Sequence, residues 1–209
     1  MRPTCLAIIS AALALPLCSA RGDVAPPNRR QQGSPPASDP APKVQQEQKA
    51  DIPAVPELKP GELLTRHRSK LKVTASSFWP GWPPEKAIDG DPATSWFSQT
   101  ADAAALKTTP WVEVTFPEDV TVQHVLALGN REPSWPVNYS IVVAKIELYD
   151  AGGRLVRSQN NETAVPTFDI EFHFKAPVAK VRRLRFVSVA DQGDKNPFKD
   201  IAIGELRAW

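Results

Sequence analysis

Residues 87–96, AIDGDPATSW, set two carboxylates and a hydroxyl, Asp89, Asp91 and Thr94, around one tight turn. These are hard oxygen donors, the type calcium gathers in a flexible shell of about six to eight ligands. The spacing is not that of an EF-hand, because the alternating acidic positions and the glutamate at the loop end are missing. The same residues also read without a metal, as an Asx-turn closed by the Asp89 side chain. A second group, Phe78, Trp79 and Trp82, lies in a stretch stiffened by proline and glycine. Aromatic faces there suit the apolar C–H surface of a pyranose or a membrane interface, or they cap the end of a core. A third stretch, 129–139, places the polar forks of Asn130 and Arg131 near Trp135. Those forks match sugar hydroxyls, or they serve as scaffolding, with Arg131 paired to Glu132 or a buried carbonyl.

Catalytic chemistry finds little support. The three histidines are His67, His124 and His173. The last two fall in expected strands, where His124 reads as a hydrogen-bonded core or edge residue and His173 as part of a polar face. No His-Glu-x-x-His, Gly-x-Ser-x-Gly or phosphate-loop pattern occurs. Acidic neighbours such as Glu118 and Asp119 are not carboxylates opposed across a cleft, as glycoside hydrolysis requires. The expectation is a protein that binds and does not catalyse.

The elements that must position these groups are short. Asp89-Gly90-Asp91-Pro92 reads as a turn, since glycine tolerates positive φ and proline stops a helix or ladder. One helical turn over 83–88, entered through proline, feeds it. Trp96 follows as an apolar anchor. From Lys72 onward the sequence alternates with period two between turn signals, the mark of an all-β sandwich. Val112, Val114 and Phe116 alternate with Glu113 and Thr115. Phe168, Ile170, Phe172 and Phe174 alternate with Asp169, Glu171 and His173, while Leu184 and Phe186 stand among arginines. Val142, Ala144, Ile146 and Leu148 form another run, ended by the hairpin turn at 150–153.

The stretch VTASSFWPGWPPEKAIDGDPATSW, with the closing IGELRAW at 203–209, resembles a discoidin domain, the coagulation factor V/VIII type C fold. It is similar to family 32 carbohydrate-binding modules. The resemblance covers roughly residues 70–209 and implies a jelly-roll β-sandwich of the galactose-binding-like class. It also implies a structural calcium ion held by the Asp89 carboxylate, the Thr94 hydroxyl and the Ala87 and Asp91 carbonyls, with Glu205 reaching in from the last strand. By the same resemblance, a glycan or polysaccharide would bind on loops at one end of the sandwich. The residues expected there are Phe78, Trp79, Trp82, Asn130, Arg131 and Trp135. Adhesion to a protein or a membrane surface through the loop aromatics is the alternative.

The rest of the chain bounds its setting. A net charge of +2 gives no basic surplus for nucleic acid. All six tryptophans and eight phenylalanines lie after residue 77, enough for one sizeable core. Residues 1–20 read as a secretory signal peptide: Arg2, an apolar run too short to span a bilayer, then Cys18-Ser19-Ala20. Lipidation at Cys18 is the competing reading, although Leu17 is a poor residue before a lipid-bearing cysteine. Both cysteines fall in this segment, so the processed chain has none. Residues 21–60 hold nine of the 22 prolines among polar residues and read as a disordered tether. The domain is then 61–209, with an ordered core expected from about residue 70 and the Arg66-His67-Arg68 cluster as a solvated face.

Overall fold

The computed structural model describes residues 52–134, 141–161, 168–193, 196 and 198–209. The expected signal segment, residues 21–51 of the expected tether, and Trp135 lie outside the described residues.

Among the described residues there are eight strands: β1 (Lys72–Ala75), β2 (Trp96–Phe97), β3 (Trp111–Leu128), β4 (Ile141–Tyr149), β5 (Leu155–Asn160), β6 (Ile170–Asp191), β7 (Ala202–Ile203) and β8 (Glu205–Ala208), and the alternating runs supply β3, β4 and β6. All pairings are antiparallel. The main sheet runs β1-β3-β6-β4-β5, with β8 also on β3, and β2 pairs with β7 separately.

The two long strands make the layers. The first half of β3 pairs Trp111–Thr115 against Val187–Arg183, and its second half pairs His124–Ala127 against His173–Ile170. Between them the register slips at Thr115/Val120, Val120/Val122 and Val122/His124. Such bulges bend and twist a strand pair, so this one pair contributes to both layers of the core. Val112, Val114 and Phe116 then share a single apolar cluster with Val125, Ala127, Phe172, Leu184 and Phe186. Trp96, Phe116, Phe172 and Phe186 are fully buried. Each such side chain stabilises the fold by about 1.5–3 kcal/mol relative to exposure.

Local expectations hold where the cause is local. Residues Pro84–Ala87 form one 3₁₀ turn with proline at its start. At the β4–β5 hairpin, Asp150 Oδ1 accepts from the amides of Gly152 and Arg154, 3.0 and 2.9 Å away.

The start of the ordered core is a correction. Order does not begin near residue 70: helix α1 (Leu63–His67) buries Leu63 and Leu64 in the main cluster. Glu62, itself buried, caps the amides of Leu64 and Thr65 and also accepts from the Ala208 amide of β8 at 2.8 Å. The preceding segment is tied down through its carbonyls: Pro53 accepts from Arg131, Pro56 from Arg207, and Lys59 from the Trp209 indole. The Arg66-His67-Arg68 cluster is not a uniformly solvated face either. Arg66 is exposed, but His67 stands edge-on to Phe116 and Arg68 turns in towards Gly90.

Candidate functional site

The oxygen-rich turn is built by its own side chains. Asp89 Oδ1 accepts from the Asp91 amide at 2.9 Å, the Asx-turn foreseen as one reading of the sequence. Its Oδ2 receives the Thr94 hydroxyl at 2.6 Å, and that hydroxyl lies 3.2 Å from the Asp91 carbonyl. The Thr94 hydroxyl thus lies within hydrogen-bond distance of two other expected donors, the Asp89 carboxylate and the Asp91 carbonyl. Gly90 takes a positive φ of 85° and donates its amide to Glu205 Oε2 at 3.0 Å, joining β8 to the turn. Trp96, fully buried, anchors the loop by donating its indole N–H to the Ser77 carbonyl at 3.0 Å.

Glu205 carries the electrostatic signature of the site. Burial pushes its carboxyl up to about 8; the Gly90 amide opposes that shift and Asp89 adds to it. A buried carboxyl so placed takes a proton or a cation at neutral pH. Arg68 supplies part of the counter-charge, with Nη2 4.0 Å from Glu205 Oε1. The donor set is hard oxygen throughout, so these residues fit calcium. Ala87, wholly buried at the entrance of the turn, offers only its carbonyl.

The aromatic loop sits on a hydrogen-bonded frame. The hydroxyls of Ser76 and Ser77 both donate to the Asp102 carboxylate. The Trp79 amide donates to the Phe97 carbonyl at 3.0 Å. Asp200 is a buried carboxyl pushed up to about 6 by burial, a shift that the Trp79 indole opposes. On this frame Phe78 and Trp79, consecutive in sequence, are 47% and 40% exposed. Trp82 is different. It is half-buried, packs on Phe97 and Ala202, and meets Phe97 edge to face at 5.6 Å. The expectation that Trp82 joins Trp79 in an open platform is corrected: its ring belongs largely to a satellite core.

The second expected loop is also corrected. Asn130 is 1% exposed, and its Oδ1 accepts from the Ser95 hydroxyl at 2.7 Å and the Glu132 amide at 2.9 Å. Arg131 makes a bidentate pair with Asp169, 2.9 and 2.8 Å, donates to the Gly129 carbonyl, and lies over the Phe168 ring at 4.6 Å. Neither side chain faces solvent. The scaffold reading was available in sequence for Arg131, and the Gly129 carbonyl is the buried carbonyl it allowed, but the carboxylate partner is Asp169 and not Glu132. The expected contribution of Trp135 lies outside the described residues.

Sequence reasoning missed three participants: Arg68 beside Glu205, Asp102 under the aromatic loop, and Asp200 on the Trp79 indole. No motif surrounds Asp102 or Asp200 in the sequence.

The sequence matches the F5/8 type C domain over residues 72–200, more than half of the chain. No curated protein matches it in sequence. The fold is similar to the family 32 carbohydrate-binding module of Clostridium perfringens NanJ, solved in complex with galactose, at 18% identity and a TM-score of 0.52, over 68% of this chain and 95% of that one. It is similar to the third family 32 module of a family 31 glycoside hydrolase from Clostridium perfringens, at 24% identity and a TM-score of 0.54, over 71% and 94%. A further family 32 module from Clostridium perfringens, in complex with GalNAc-β-1,3-galactose, matches at 13% identity and a TM-score of 0.51, over 68% and 97%. These likenesses show the fold, a jelly-roll β-sandwich.

Proposed function

Because the chain belongs to the F5/8 type C domain family, we propose that it is a non-catalytic binding module that recognises a glycan or polysaccharide through the Phe78–Trp79 loop. The observation that carries this reading is the exposure of two consecutive aromatic residues on a loop already held by Asp102 and the Phe97 carbonyl. An aromatic face held in place before the ligand arrives loses little freedom on binding, so more of the stacking energy appears as affinity. The galactose and GalNAc-galactose complexes of similarly folded modules support the choice of ligand class.

In this reading a structural calcium ion sits among the Asp89 carboxylate, the Thr94 hydroxyl, the Ala87 and Asp91 carbonyls, and Glu205. When bound it supplies charge that fixes the turn. Asp89 and Thr94 orient the loop, and Glu205 ties it to β8. Residues 1–20 direct export, with lipidation at Cys18 the lesser route, and the segment after them tethers the module outside the cytoplasm. Binding of the full chain to a glycan array tests the ligand class. Phe78, an exposed apolar ring, favours a second reading, docking on a protein or membrane surface. Co-sedimentation with liposomes in the absence of glycan binding is the result that favours it.

A further inference from the structure

Where β3 meets β6, His124 and His173 are directly opposed partners in the antiparallel ladder. Residues so opposed project from the same face. Phe172 and Phe174 point into the core, so His173 and its partner turn the other way. Their imidazoles stack at 4.1 Å between centroids and 10° between planes. On its other side, His124 stacks against the Trp209 indole at 5.0 Å and 20°. Glu171, two residues before His173 and on the same face, brings Oε2 to 2.9 Å from His173 Nε2 and 3.8 Å from His124 Nε2. His124 Nε2 is buried and has no hydrogen-bond partner among the described residues. The three ligand atoms lie within 4.8 Å of one another.

We propose that His124, Glu171 and His173 form a binding site for a transition-metal dication of the zinc type. Two imidazole nitrogens and one carboxylate oxygen are the donors such an ion prefers, whereas calcium selects oxygen alone. The site shares no residue with the Asp89–Glu205 turn.

Its parts divide the work of binding. His124 is the fixed ligand, clamped between Trp209 and His173 with an unsatisfied nitrogen. Its burial, and the neighbouring His173, favour the neutral ring that metals require. Glu171 and His173 are the mobile ligands, with side chains 54% and 61% exposed. Zinc–nitrogen and zinc–oxygen bonds are about 2.0–2.2 Å long, so these two must swing inwards, giving up their mutual hydrogen bond. Three protein ligands leave one coordination position for water or an incoming group.

Titration of the full chain with Zn²⁺, read by calorimetry with calcium in excess, tests the site. The expected result is one Zn²⁺ per chain, weakened by more than about tenfold in both His173→Ala and Glu171→Ala. Both residues are exposed, so the melting temperature of each metal-free variant should stay close to that of the wild type. Asp89→Ala should leave Zn²⁺ binding unchanged. Absence of Zn²⁺ binding to the folded wild type would overturn the proposal. So would binding that persists unaltered in both His173→Ala and Glu171→Ala, since the three rings would then be a stacking ladder only.

Discussion

The Arg68 guanidinium stands 4.0 Å from the Glu205 carboxylate and presses against Gly90, where an added Cβ would fall 2.2 Å from Nη1. The chain thus carries its own cation beside the turn proposed to hold calcium. A fixed positive charge there offsets Glu205 when no metal is present and repels a dication when one arrives. Calcium bound to the folded state alone should still stabilise the full chain, by about 2.7 kcal/mol at a hundredfold excess over its dissociation constant. The Asp89→Ala and Glu205→Ala variants should lose that response. Arg68→Ala should bind calcium more tightly than the wild type while being less stable without it. Calorimetry and thermal melts with and without calcium check all three, and weaker calcium binding by Arg68→Ala would contradict the assigned role.

Arg131 and Asp169 form a nearly buried bidentate pair, with side chains 6% and 17% exposed. Removing one partner leaves the other charge uncompensated, at a cost of about 3–5 kcal/mol. Arg131→Ala should therefore shift the urea midpoint strongly. The double variant Arg131→Ala/Asp169→Ala should recover part of the loss, a coupling that a double-mutant cycle reads directly. A small effect of Arg131→Ala on stability with a large effect on glycan binding would return Arg131 to the ligand face.

The two loop tryptophans should behave differently. Trp82 packs on Phe97, so Trp82→Ala should destabilise the fold by about 2 kcal/mol, short of the 3–5 kcal/mol of a fully buried ring. Trp79→Ala should cost less, since its ring is 40% exposed and its main loss is the indole beside the buried Asp200 carboxyl. Equal losses in both variants would show that the exposed ring of Trp79 is also part of the packing.

Asp200 gives the loop a pH dependence. Its carboxyl titrates near 6 in the fold against an ordinary value of 3.8. Between those values the folded state holds the extra proton, so the contribution of Asp200 to stability is fullest below about pH 4. It falls as the pH rises through 6 and levels off above. Asp200→Asn should remove this slope. The Trp79 emission should titrate with a midpoint near 6 in the wild type and stay flat in the variant. A flat emission in the wild type would contradict the indole–carboxylate coupling.

Much of the framework was legible because its causes are local. Period-two alternation marked the buried residues of β3 and β6, proline marked the turn at 84–87, and Trp96 announced the anchor of its loop. What escaped the sequence was set by contacts distant along the chain. Glu62 caps α1 through neighbours in sequence but also accepts from Ala208, and nothing near Glu62 specifies that strand. Arg131 finds Asp169 across the sheet when nearer polar candidates exist. Trp79 and Trp82 look alike in sequence, and only the packing of Phe97 and Ala202 against one of them separates the platform from the satellite core. The reason residue 204 is glycine is distant too: a Cβ there would lie 2.6 Å from the Gly129 carbonyl oxygen.

The affinity of the full chain for glycans, measured for the wild type and for Trp79→Ala, tests the central claim most directly. An array identifies the strongest glycan, and calorimetric titration with that glycan then compares the two proteins. The account predicts measurable binding by the wild type and a loss of about 2 kcal/mol, roughly thirtyfold in affinity, in a Trp79→Ala variant that remains folded. A folded wild type that binds no glycan, or a Trp79→Ala variant that binds as tightly as the wild type, would contradict it.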